Sequence, residues 1–80
     1  MNRDYYKQIK EMLEQEGMTD IKYYMLINNE GYTFTDKEGR RCDLRHWRNV
    51  YGSEVDFWSC EKGLEHIKDK ATEIYRNAQA

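Results

Sequence analysis

Between residues 21 and 44, apolar and polar side chains alternate through three short segments, separated by two turns that each end on glycine. A period of two marks a strand with one buried face, and strands joined by so few residues pair antiparallel. In the first segment Ile21, Tyr23, Met25 and Ile27 take one side and Lys22, Tyr24, Leu26 and Asn28 the other, so a strand is expected over 21–28. Asn28-Asn29-Glu30-Gly31 is turn chemistry. A two-residue loop there pairs Ile27 with Tyr32 and Met25 with Phe34, leaving all four on one face, with a second strand over 32–36. At Asp36-Lys37-Glu38-Gly39, closing on two residues sets Phe34 against Arg41. A three-residue loop, Lys37-Glu38-Gly39 with Gly39 left-handed, pairs Phe34 with Cys42 and Tyr32 with Leu44 instead, and is preferred. The third strand is then 40–44. A fourth is expected over 54–58, with Val55 and Phe57 on one face.

Such a sheet needs cover on its apolar side. The spacing predicts a helix over 2–16, capped by Asn2 and stopped by Gly17, with Tyr5, Tyr6, Ile9, Met12 and Leu13 on one face. Lys7–Glu11 and Lys10–Glu14 are i, i+4 pairs on its polar side. A second helix is expected over 60–78 with Ser59 as N-cap. Its stripe is Cys60, Leu64, Ile67, Ala71, Ile74 and Ala78, with Tyr75 at the edge. Residues 45–53 read either as a short helix capped by Asp43, with Leu44, Trp47 and Tyr51 at i, i+3, i+7, or as an irregular loop ending at Gly52. The expected fold class is α+β: an antiparallel sheet of three to four strands, a meander plus one strand, with the N- and C-terminal helices packed on one face. Residues 1–80 make one domain, since a chain this short has no room for a second core.

Leu, Ile, Val and Phe number only 13 of 80, but 7 Tyr, 2 Trp and 4 Met supply the missing apolar area, so the core is expected to be aromatic. The longest apolar run, Tyr23 to Ile27, is far short of a membrane span, and the polar N-terminus does not look like a signal peptide. A cytoplasmic location follows, and two cysteines suit a reducing compartment. With 13 Lys+Arg against 15 Asp+Glu, the net charge of −2 gives no global attraction to nucleic acid or anionic lipid.

Catalytic chemistry finds little footing. Cys42-x3-His46 and Cys60-x5-His66 hold the inventory of a zinc site, but neither half has the close cysteine pair of structural sites, and no metal or cofactor is expected. Cys60 in a first helical turn would feel the helix dipole, yet it lies on the apolar stripe, where burial opposes ionisation. A disulfide between Cys42 and Cys60 would be reduced in the cytosol. Ser53 and Ser59 stand outside any nucleophile turn, the five glycines are isolated, and Glu54-x-Asp56 lacks the lysine order of a metal-dependent nuclease.

Three surface features remain. The run from Arg40 to Arg48 holds four arginines, of which Arg41 and Arg45 alternate away from the core face, with Arg48 beyond. Glu65, Asp69 and Glu73 recur along the last helix and give it an acidic side. Tyr24, Leu26 and Trp58 are expected on the uncovered sheet face, joined by Trp47, a composition typical of binding hot spots. These ten residues, from Tyr24 to Glu73, make up the expected docking surface of a non-enzymatic protein-binding module whose partner itself binds nucleic acid. The alternative is a small DNA- or RNA-binding domain that presents Arg40, Arg41, Arg45 and Arg48 to phosphates. A second copy of the chain is a further candidate partner, and a membrane is not. In size and missing catalytic motifs the chain is similar in general character to accessory and inhibitor proteins of phages and mobile elements, anti-CRISPR proteins among them; that likeness rests on no motif.

Overall fold

The computed structural model describes residues 5–48 and 57–79. Helix α1 (Tyr5–Gln15) leads into strands β1 (Thr19–Met25), β2 (Asn29–Thr35), β3 (Arg41–Trp47) and β4 (Phe57–Ser59), followed by helix α2 (Glu65–Gln79). The strands form one antiparallel sheet in the order β1-β2-β3-β4, and both helices cover the same face. The fold class is the α+β arrangement that the alternation implies. Asn2, Tyr51, Gly52, Ser53 and Val55 lie outside the described residues.

Local chemistry sets the corners. Gly17, at φ +86°, ends α1 in a Schellman turn: Met18 N–H donates to Leu13 C=O and Gly17 N–H to Glu14 C=O, each at 3.0 Å. Leu13 and Met18 are both buried beneath it. Between β2 and β3, Asp36 Oδ1 accepts the N–H groups of Glu38 and Arg40, and Gly39 is left-handed at φ +83°. The loop therefore closes on three residues, and Phe34 pairs with Cys42 and Tyr32 with Leu44 as expected. The core gathers Ile9 and Leu13 of α1, Phe34 of β2, Leu44 of β3, and Ile67 and Ala71 of α2.

The first hairpin departs from expectation. Its tip lies at Ile27–Asn28, not at Asn29–Glu30, so Tyr23 pairs with Tyr32 and Met25 with Glu30. Leu26, Ile27 and Asn28 leave the strand for the turn, and β1 begins at Thr19 with a bulge before Lys22. The slide is by an even number of positions, so the side chains that remain in the ladder keep their predicted faces, whereas Ile27, expected on the core face, is 89% exposed at the tip. Its cause is the interior. Glu30, solvated if placed in a turn, instead points into the core, where it is fully hydrogen-bonded. The slide also starts β2 three residues earlier, which gives Arg45, His46 and Trp47 strand partners. Asp43 through Trp47 are therefore β3, not a capped helix or irregular loop.

The second correction concerns α2, which begins at Glu65 and not at residue 60. Ser59 belongs to β4 and caps nothing; its hydroxyl accepts Trp47 Nε1–H at 3.2 Å. The chain reaches the helix through a turn at Glu61–Leu64 with Gly63 at φ +94°. Cys60 consequently lies before the helix, outside any dipole effect.

Candidate functional site

Among the described residues nothing packs over the sheet face opposite the helices, and there alternation places Tyr24, Gly31, Thr33, Asp43, Arg45, Trp47, Phe57 and Ser59. Tyr24 crosses over Gly31 to reach β3. Its hydroxyl donates to Asp43 Oδ1 at 2.8 Å and accepts Arg45 Nε–H at 2.8 Å, while Arg45 Nη2 donates to Asp43 Oδ2 at 2.7 Å. The Arg45 guanidinium lies 5.7 Å from the Tyr24 ring centroid and 5.2 Å from that of Trp47. Trp47 in turn lies parallel to Phe57, 6.3 Å away. At the same end of the sheet, the hairpin tip presents Leu26 and Ile27, 54% and 89% exposed. The result is an apolar and aromatic rim in which Tyr24, Arg45 and Asp43 bond to one another and are held in place, while the buried Asn29 Oδ1, opposite Trp47 in the ladder, has no hydrogen-bond partner among the described residues. Burial, with Asp43 accepting the hydroxyl, pushes the Tyr24 phenol up to about 12.

Of the expected docking residues, Tyr24, Leu26, Trp47 and Arg45 are thus brought together. Arg41 lies further along the same face, its guanidinium donating to Asp20, Thr33 and Thr35. Arg48 follows β3, its backbone N–H donating to Asn28 C=O. Trp58 does not belong. It pairs with His46, so it points into the helix-covered layer and is buried. The expectation of an outward Trp58 rested on a strand phased from Val55 and Phe57. Phe57, half exposed on the open face, is the residue of that strand that does point outward. Glu65, Asp69 and Glu73 are exposed on α2, across the sheet from the open face, and do not extend it.

The interior holds a constellation that the sequence reading missed. Glu30 Oε1 accepts Tyr5 Oη–H at 2.7 Å and lies 3.2 Å from His46 Nδ1; Oε2 accepts Tyr23 at 2.7 Å and Tyr6 at 3.0 Å. Glu30 and His46 have no solvent exposure. Burial favours the neutral acid, but the hydrogen bonds from His46, Tyr23, Tyr5 and Tyr6 outweigh it and hold Glu30 at about 2. The same burial, with the neighbouring hydroxyl and carboxylate, raises the Tyr5 and Tyr23 phenols well above their ordinary value. A signal existed: Tyr5, Tyr6 and Tyr23 all fall on predicted core faces, and buried hydroxyls need an acceptor.

The zinc inventory is scattered by the same packing. His46 is engaged with Glu30, His66 faces Glu16 from α2, and Cys42 and Cys60 are free thiols. Among the described residues no group of three or more His, Cys, Asp or Glu side chains is placed to hold a metal ion, and no helix is long and apolar enough to cross a membrane. The chain matches no protein-family model, no curated protein and no solved structure.

Proposed function

We propose that this chain is a non-enzymatic protein-binding module that docks through the open face of its sheet. One observation carries the reading: both helices cover one face, and the other presents a preorganised Tyr24–Arg45–Trp47–Phe57 array beside an exposed Leu26–Ile27 tip. Apolar anchors flanked by satisfied polar groups are the composition of an interface core and rim. The cluster with catalytic residue types supports the non-enzymatic reading, because Glu30 and His46 are sealed away from any substrate. Asp20 and Asp43 pair with Arg41 and Arg45, which weakens the attraction to phosphates that the nucleic-acid alternative needs. An inhibitor or accessory role in a reducing, cytoplasmic setting suits the small size and the free thiols.

Affinity capture from cells of the source organism tests this, comparing wild type with Trp47→Ala and Ile27→Asp, both checked for native circular dichroism. A partner retained by wild type and reduced at least tenfold by each variant supports the reading. Equal retention by all three overturns it, as does a salt-sensitive gel shift that needs Arg41 and Arg45.

A further inference from the structure

We propose a second binding site at the free edge of β1, which accepts an extended acidic peptide segment with one apolar side chain as an added strand. β1 is the terminal strand of the sheet. Leu26 N–H donates to Asn29 C=O, which fixes the hydrogen-bonded pairs of this hairpin at Tyr24 and Lys22. The main-chain groups of Tyr23 and Met25 therefore point outward. Among the described residues nothing accepts those N–H groups. The other edge is treated differently: beyond short β4, the Asp43 N–H is taken by the Glu61 carboxylate at 2.8 and 3.0 Å.

Beside this open edge lies a groove of about 390 Å³ between α1 and the sheet, lined by Tyr6, Lys7, Lys10, Ile21, Tyr23 and Tyr32. Its floor is aromatic and aliphatic, and two exposed ammonium groups stand at its rim. Lys7 and Lys10 make no ion pair among the described residues, even with Glu11 and Glu14 at helical spacing. A strand edge next to a helix-walled pocket is the geometry in which a peptide gains affinity from main-chain bonds and specificity from one seated side chain. The charge selects the occupant. A second copy docked edge to edge about a twofold axis would set its own Lys7 and Lys10 against these two, whereas a peptide with Asp or Glu beside its apolar residue neutralises them. This site is separate from the open face and does not depend on it.

The probe is a displayed library of random octapeptides selected against the purified protein. Enriched sequences should carry one apolar residue flanked by Asp or Glu. A synthetic peptide of the enriched sequence should slow hydrogen exchange at the Tyr23 and Met25 amides. The Lys7→Glu/Lys10→Glu variant should weaken binding at least tenfold. Met25→Pro removes an outward N–H without breaking a ladder bond, and should also weaken binding tenfold or more with the circular dichroism unchanged. Trp47→Ala should leave this binding intact, which separates the site from the open face. The proposal is overturned if no sequence family is enriched, if the Lys7→Glu/Lys10→Glu variant binds as wild type does, if protection maps to Arg45 and Trp47, or if sedimentation shows a dimer that Met25→Pro dissolves.

Discussion

Trp58 lies flat on His46, with ring centroids 4.6 Å apart and planes 10° from parallel, and Tyr75 of α2 packs against both rings. The indole is thus a wall of the interior and helps to seal His46 beside Glu30. Truncating a buried aromatic side chain of this size costs about 3–5 kcal/mol. Trp58→Ala should lose stability on that scale in urea unfolding. Trp47→Ala, at a half-buried position, should lose less than half as much.

The Glu30 carboxylate makes the fold sensitive to acid. Its folded value of about 2 lies below the unfolded 4.5, so its stabilisation is fully present above about pH 4.5 and is lost as pH falls from there towards 2. At about 1.4 kcal/mol per pKa unit, this amounts to roughly 3 kcal/mol. Urea midpoints measured across that range should fall for wild type and fall less steeply for Glu30→Gln, in which the lowered Asp36 and Glu16 carboxylates still titrate. At neutral pH that variant should already be about 2–4 kcal/mol weaker, because its amide N–H2 meets hydroxyls that need an acceptor.

Tyrosine titration gives the complementary limb. Burial favours the neutral phenols of Tyr5, Tyr23 and Tyr32, so their stabilisation is present below about pH 10 and is lost as pH rises above it. Absorbance at about 295 nm should show these phenols ionising together with loss of near-ultraviolet circular dichroism.

Gly31 stands where the two layers of the open face touch. A Cβ there would meet Leu44 C=O at 2.5 Å and Tyr24 Oη at 2.6 Å. The ring can swing away, but the carbonyl cannot leave the ladder. Gly31→Ala should therefore cost about 1–3 kcal/mol in urea unfolding and loosen the Tyr24–Arg45 contact.

Both thiols should be slow to react. Burial raises Cys42 to about 11, helped by the nearby Glu61 and Asp36 carboxylates, and raises Cys60 to about 12 against only partial relief from the Glu61 N–H. Native protein should resist iodoacetamide at about pH 8, and both cysteines should alkylate once urea unfolds it.

Periodicity and turn chemistry alone determined the α+β class, the Gly17 and Gly39 corners, the β2–β3 register and most of the α2 stripe, because each rests on contacts between residues close in sequence or on strict alternation. Alternation also put Tyr24 and Arg45 on one face, since an even slide of the first hairpin cannot change which side a residue faces, whereas the strand position of Trp47, in a segment that reads as helix or loop, came from its pairing with Asn29. The hairpin tip, the inward Glu30, the burial of His46 and Trp58, and the late start of α2 were decided by tertiary structure. A carboxylate flanked by Asn29 and Gly31 reads as a solvated turn until three tyrosines and an imidazole, from α1, β1 and β3, converge on it. Only that convergence offsets its desolvation and makes the longer strands the more stable pairing.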